Sequence, residues 1–345
     1  MMRYDVNYYN EYKIKLLNKA SEKKIPIAGE FEITANCNMN CKMCYVHKHN
    51  KTKDLSNDDW YNIITQAINS GMLFANFTGG EIFLKNDFMD LYERVYDLGI
   101  KIILYTNGTL LSDEVIERLK SRPPEYIAIT IYGDSAEMYE KICGYKDGFS
   151  RVINNIEKMR LANLNIVLRT IPILETYNNL DNLLELLLKF NLPIENSLYV
   201  GPNRYSNKKS DVDRLSPTQL LQYQKMFEEK LKIYFNKPFV NTSNGFNCSA
   251  GKSAFFVNWE GKMSICSLFD YPRVDILNSD FKTAWDKLKQ SVSQSKKCSD
   301  CEKCKFNNLC YVCPAKLYSE GNIEKCSSYL LECAKVRFAD KNGKI

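Results

Sequence analysis

The stretch FEITANCNMNCKMCYV, residues 31–46, runs an apolar strand straight into a loop that carries Cys37, Cys41 and Cys44 at the spacing C-x3-C-x2-C. Three thiolates on one short loop can hold three irons of a 4Fe-4S cluster and leave the fourth iron without a protein ligand. An open metal position is what a catalytic site keeps, whereas a structural site closes its coordination shell. A zinc knuckle is the alternative reading. It needs a fourth ligand, and His47 or His49, the chain's 2 histidines, could supply it.

Outward from this loop the pattern repeats. FEITA (31–35), MLFANFT (72–78), KIILYT (101–106), YIAITIY (126–132), NIVLRTI (165–171) and SLYV (197–200) read as strands. Between them lie amphipathic stretches such as DDWYNIITQAINS (58–70), DFMDLYERVYDL (87–98) and GFSRVINNIEKMRLA (148–162). Alternation of this kind predicts an α/β fold with a parallel sheet covered by helices. Six units fall short of a complete eight-unit TIM barrel, so the expectation is an open partial (β/α)6 barrel. SPTQLLQYQKMFEEKLKIYF (216–235) closes it as a helix, with Ser216 as N-cap and Pro217 in the first position. The organisation expected is a helical extension over 1–24, the barrel over 25–238 and a cysteine-rich C-terminal domain over 239–345.

Composition sets the outer bounds. The chain has 345 residues, 45% hydrophobic and 26% charged, enough for a large core and too apolar for disorder. The longest apolar run, LLELLL at 183–188, is far short of a membrane span, and the polar, aromatic N-terminus lacks a secretory h-region. A net charge of +6 on scattered lysines gives no nucleic-acid footprint. The expectation is a soluble cytoplasmic protein with no nucleic-acid or membrane partner. In that compartment an odd count of 13 cysteines points to metal or cluster ligation rather than disulfides.

The cysteine loop, with Tyr45 directly after its last thiol, resembles the signature of the radical S-adenosylmethionine (radical SAM) enzymes. That resemblance covers roughly residues 25–235 and implies a partial (β/α)6 barrel. Its cluster binds SAM at the open iron and cleaves it reductively to a 5′-deoxyadenosyl radical. Further segments match at the strand ends. FTGGE places Gly79, Gly80 and Glu81 after the second strand, where two glycines allow close backbone approach to a ligand; the resemblance assigns this segment to the methionine amino group, with Ile82 standing where the family has proline. YTNGT (105–109) offers Asn107 and TIYGDSAEMYEKICG (130–144) offers Thr130, both near the ribose. Arg169, ending the fifth strand, is the candidate for the SAM carboxylate, which a guanidinium can pair bidentately.

The second cysteine group fills the last hundred residues. NCSAGKSAFFVNWEGKMSIC sets Cys248 before a hairpin turning at Glu260-Gly261, with Cys266 completing G-x4-C. CEKCKFNNLCYVCPA then runs C-x2-C-x5-C-x2-C through Cys301, Cys304, Cys310 and Cys313. This density resembles the SPASM extension of radical SAM enzymes, with x2 where the family has x3 before the last cysteine. The resemblance implies two auxiliary 4Fe-4S clusters, hence three in all. Cys248, Cys266 and Cys313 would hold the first, with an open iron or Cys298 as fourth ligand. Cys301, Cys304, Cys310 and Cys333 would hold the second, with Cys326 the alternate to Cys333. A pair of zinc ribbons is the competing reading of the same cysteines.

SPASM relatives imply a peptide substrate, so the expected activity is maturation of a ribosomally made peptide. The outcome would be a thioether, a C–C cross-link or an epimerised residue. Cys143, expected in a loop near the barrel mouth, reads first as an inert buried thiol and, in the sharper reading, as the candidate hydrogen-atom donor for epimerisation. Formylglycine formation, small-molecule oxidation in a haem or aminoglycoside pathway, and a non-catalytic metal scaffold are the alternatives. The partners implied are the peptide and an electron donor such as flavodoxin or ferredoxin; with about 25 residues before the first strand, leader recognition is expected from a separate leader-binding protein or from the barrel and SPASM surfaces.

Overall fold

The computed structural model describes residues 6–46, 53–204, 213–233, 248–269, 271–296, 298–310 and 312–343. His47 and His49 lie outside the described residues. The chain begins with α1 (Val6–Lys23) and then alternates through β1 (Ala28–Thr34), α2 (Asn57–Asn69), β2 (Phe74–Gly79), α3 (Phe88–Tyr96), β3 (Lys101–Thr106), α4 (Asp113–Ser121) and β4 (Tyr126–Thr130). α5 (Ala136–Cys143), α6 (Gly148–Leu161), β5 (Ile166–Arg169), α7 (Leu174–Asn178), α8 (Leu180–Phe190) and α9 (Pro217–Leu231) follow. Serine side chains start four of these helices: Ser56, Ser112, Ser135 and Ser216 each accept from the amide three residues on. This satisfies a donor that the first helical turn leaves open.

Strands β1 to β5 are parallel neighbours in sequence order. Successive side chains point to opposite faces of a strand, and here both faces are dry. Phe31, Ile33, Phe77, Leu104, Ile129 and Leu168 pack outward with helix residues such as Trp60 and Leu91. Phe74, Ile103, Tyr126, Ala128 and Val167 point inward, where Leu16, Leu17 and Ala20 of α1 plug the floor of the barrel. Burial on both faces is why these strands read as near-continuous apolar runs.

The sixth unit departs from expectation. SLYV (197–200) forms no strand; the chain makes one parallel bridge to β5, between Leu168 and Ile194. Pro193 has no N–H to donate, and the Asn196 side chain, not a backbone carbonyl, accepts from the Thr170 amide at 2.7 Å. The ladder stops there, and Tyr199 turns toward the C-terminal segment.

Beyond α9, β6 (Ala254–Val257) and β7 (Lys262–Ser264) form the expected hairpin, turning at Gly261 with φ +73°. β8 (Val274–Asp275) pairs with β7. Sequence pattern alone did not reveal that β6 lies parallel to β1, Ala28 opposite Ala254 through Phe31 opposite Val257, giving the order β5-β4-β3-β2-β1-β6-β7-β8. This covers the exposed edge of β1 and brings the cysteine-rich segment against the barrel. α10 (Phe281–Ser293), α11 (Ser299–Glu302), α12 (Pro314–Ser319) and α13 (Ser328–Lys341) complete it. No helix among the described residues is long and apolar enough to cross a membrane.

Candidate active site

The C-terminal ends of the parallel strands open into a cavity of about 420 Å³, ample for a cofactor-sized molecule. Cys37, Cys41 and Cys44 line it, together with Tyr45, Gly79, Gly80, Asn107, Thr130 and Arg169. Residues from five separate segments thus meet at one cavity, and these nine include every barrel-domain candidate but two. Those two, Glu81 and Cys143, lie elsewhere.

The cysteine loop is held from three sides. Asn40 N donates to Cys143 O at 2.7 Å and Lys42 N to Ile142 O at 3.0 Å. Asn107 Nδ2 donates to Asn38 Oδ1 at 2.8 Å, with Cys37 Sγ 3.9 Å away. Asn203 Nδ2 donates to Cys44 O at 3.2 Å, and Arg204 N to Tyr45 O at 3.1 Å. The Arg204 guanidinium lies 4.9 Å from the Tyr45 ring centroid and forms a buried ion pair with Glu32. Burial pushes the Glu32 carboxyl up to about 7 against the pull of Arg204.

Burial likewise pushes the Cys37 thiol up to about 12, and the neighbouring Cys41 and Cys44 thiols oppose its ionisation further. Three soft donors on one wall suit a metal group whose binding expels their protons. Among the described residues no three His, Cys, Asp or Glu side chains converge on a single-ion geometry; the thiols share a wall rather than one tetrahedron.

The two glycines act differently from expectation. A Cβ on Gly80 would lie 2.2 Å from Asn36 O, and one on Gly79, at φ +147°, 2.3 Å from Thr34 O. The close approach they permit is to the chain's own β1 and cysteine loop: Gly80 N donates to Thr34 O and Glu81 N to Asn36 O, both at 2.8 Å. Glu81 faces away from the cavity. Its carboxylate accepts from Thr106 Oγ1 and Asn107 N, each at 2.7 Å, and from Phe83 N at 3.2 Å. Burial outweighs these donors and raises its pKa to about 7. It staples the β2 end to the β3 end, a positioning task rather than a ligand contact.

Cys143 is corrected more sharply. It closes helix α5 instead of sitting in a loop, is fully buried, and packs against Cys41 from beneath, outside the cavity lining. A thiol there does not reach a substrate radical in the cavity. Arg169 does face the cavity, its guanidinium 5.0 Å from the Tyr105 ring centroid. Among the described residues no carboxylate lies within ion-pair distance of it, so it can take an anion.

Cysteine-rich residues reach the same cavity through Ser267, Leu268 and Lys316. Behind them the thiols form two gatherings. Cys248, Cys266 and Cys313 lie within electrostatic reach of one another, the grouping expected for the first auxiliary site. Cys298, Cys301, Cys304, Cys310 and Cys326 form the other. Cys298 therefore stands with the second set, not the first. Cys326 joins it because its amide donates to Asp300 on α11 at 3.0 Å, ahead of the α13 cap. Cys333 lies within α13, beside Tyr329 and facing Arg337 and Arg214. The placement favours Cys326 over Cys333.

Sequence reasoning missed Glu30, which lines the cavity and hydrogen-bonds Ser267, and the Glu32–Arg204 clamp. Two carboxylates, Glu30 and Glu32, inside the apolar strand AGEFEIT (28–34) were the available signal. Nothing local marked Arg204 or Lys316.

Residues 31–187 match the model of the Radical SAM superfamily. The chain is 23% identical over 321 residues to the AdoMet-dependent heme synthase of Methanosarcina barkeri, spanning 84% of this chain and 91% of that protein. It is 23% identical over 262 residues to the sporulation killing factor maturation protein SkfB of Bacillus subtilis, spanning 73% and 63%. The crystal structure of Streptococcus suis SuiB bound to S-adenosylmethionine superposes with a TM-score of 0.73 at 15% identity, covering 94% of this chain and 83% of that one. SuiB has also been crystallised with its precursor peptide SuiA. At that identity the likeness is one of fold.

Proposed function

Because the chain belongs to the radical SAM superfamily through residues 31–187, we propose that it modifies a ribosomally made peptide by radical hydrogen abstraction. The observation that carries this reading is a single cavity lined both by the Cys37, Cys41 and Cys44 wall and by the cysteine-rich Ser267 and Lys316. Cys37, Cys41 and Cys44 would hold three irons of a 4Fe-4S cluster, and Arg169 would pair with the carboxylate of SAM. Asn107 and Thr130, which line the same cavity, would meet its ribose, and Tyr45 would supply an aromatic wall. With SAM, such a cluster supplies a 5′-deoxyadenosyl radical that takes a hydrogen atom from substrate. Cys248, Cys266 and Cys313 would hold one auxiliary cluster, and the Cys298–Cys326 gathering the other.

An electron sink on the cavity's far side suits oxidative chemistry, so a thioether or C–C cross-link is the preferred outcome. Epimerisation loses support with Cys143 buried away from the cavity. SkfB, a maturation protein, and SuiB, crystallised with a precursor peptide, support a peptide substrate. A flavodoxin or ferredoxin would deliver the electron, and a separate protein could present the leader. One second reading has its own support: the match to a heme synthase spans 84% of the chain, which favours a haem-pathway small molecule.

The test is anaerobic incubation of reduced, iron-loaded enzyme with SAM in heavy water. The peptide encoded beside the gene and a haem precursor are offered in parallel. Loss of hydrogen pairs from the peptide mass supports cross-linking. Gain of single deuterons means epimerisation. Change in the haem precursor alone replaces the peptide reading with the second one.

A further inference from the structure

Lys316 is the cation that faces both halves of the site. It sits one turn into α12, three residues after Cys313, which caps that helix. Side chains three apart share a helix face and lean back toward the N-terminus, so the lysine returns over Cys313. Its ammonium lies 5.0 Å from the Tyr199 ring centroid, and it lines the cavity. Burial lowers its pKa from the ordinary lysine value, and the neighbouring Cys313 and Cys310 sulfurs, one from each gathering, oppose that shift.

The surroundings fix this placement. The Tyr199 hydroxyl bonds Ser319 Oγ at 2.6 Å and Glu320 Oε1 at 2.8 Å, tying the far end of α12 to the cavity wall. Arg214 grips the same Glu320 at 2.5 Å and lies 3.6 Å from the Tyr329 ring centroid. A lysine meant only for solvent would not be half-buried against an aromatic ring and braced by such a network.

We propose that Lys316 is a positioning residue for electron transfer: its charge, held between the cavity and Cys313, makes an auxiliary cluster on Cys248, Cys266 and Cys313 easier to reduce. This rests on the reading that those thiols hold a cluster. Reduction adds one electron and one negative charge, which a fixed neighbouring cation favours. In turnover that electron would come from the substrate radical.

The test is a dithionite and titanium(III) citrate titration followed by electron paramagnetic resonance, on the full-length chain with the loop thiols replaced (C37A/C41A/C44A) so that only auxiliary signals remain. The signal of interest is the one lost in Cys248→Ala. Lys316→Met should lower the reduced-to-oxidised ratio at a fixed potential at least tenfold, a midpoint shift of about 59 mV. Lys316→Arg, which keeps the charge, should restore at least half of it. An unmoved midpoint in Lys316→Met overturns the inference while leaving the cluster reading intact. An equal shift in Met and Arg variants assigns the effect to packing and also overturns it. If Lys316→Met does not load iron, Lys316→Gln takes its place, and failure of both makes the lysine structural. Absence of any auxiliary signal in the parent chain removes the cluster reading and the inference together.

Discussion

Gly80→Ala should loosen the cysteine loop without touching a cysteine. Gly80 has no positive φ, so an alanine there is not strained by its own backbone. The cost is steric: its Cβ would stand 2.2 Å from Asn36 O and 2.7 Å from Ala35 O. Ordinary contact requires a separation roughly 1 Å greater, and both obstructing atoms are backbone. The displacement strains two hydrogen bonds, Gly80 N to Thr34 O and Glu81 N to Asn36 O. Overpacking of about 1–3 kcal/mol with about 1 kcal/mol for each weakened bond gives about 3–5 kcal/mol. Asn36 directly precedes Cys37, so iron content after anaerobic loading should fall as well. Gly99→Ala is the control, since at φ +81° it has nothing within 4 Å and carries only the conformational cost of about 1 kcal/mol. The assay is thermal unfolding of the metal-free chain, then iron per chain. Gly80→Ala unfolding within the range of Gly99→Ala and loading iron normally would refute the close-approach argument.

Three further outcomes follow from the geometry. Glu81 has its folded pKa raised from 4.5 to about 7, so the folded state holds that proton more tightly than the unfolded chain. Its stabilising contribution is complete below about pH 4.5 and is lost as pH rises through 7, by up to about 3 kcal/mol; Glu81→Gln should flatten the urea midpoint between pH 5 and 8, and an unchanged slope counts against the assignment. Arg169→Met should raise the SAM dissociation constant of the iron-loaded enzyme by about 10- to 100-fold, the worth of a charge-assisted pair, with iron content unchanged; equilibrium dialysis giving the wild-type constant removes Arg169 from the site. Cys326→Ala should lose about four irons per chain, one cluster's complement, while Cys333→Ala keeps them; the reverse result would restore Cys333 as the ligand.

Local chemistry was legible along the chain. C-x3-C-x2-C marks a metal-binding loop through residue type and spacing, with cluster and zinc both open on that ground, and the β1–β5 register puts the residues that follow each strand at one end of the sheet. Asn107, Thr130 and Arg169, the first two singled out by the family resemblance, reach one cavity because parallel strands deliver their C-terminal residues to a common rim. Helix starts were legible for the same reason: Ser216 and Pro217 need only their own neighbours to cap α9.

Contacts between distant segments were settled only by the tertiary structure. Glu81 and Thr106 are 25 residues apart, and Glu32 and Arg204 172 apart; no period links either pair, so which carboxylate faces ligand and which faces protein was invisible. Cys326 lies just ahead of α13 and Cys333 within it, and the Asp300 contact brings Cys326 toward the second gathering. Cys143 was expected in a loop near the barrel mouth and instead ends α5, buried because that helix docks against the Cys37–Cys44 loop. Residue type and spacing determine what a short segment can bind. Which groups then share a cavity depends on chain packing over hundreds of residues, a property of the folded core as a whole.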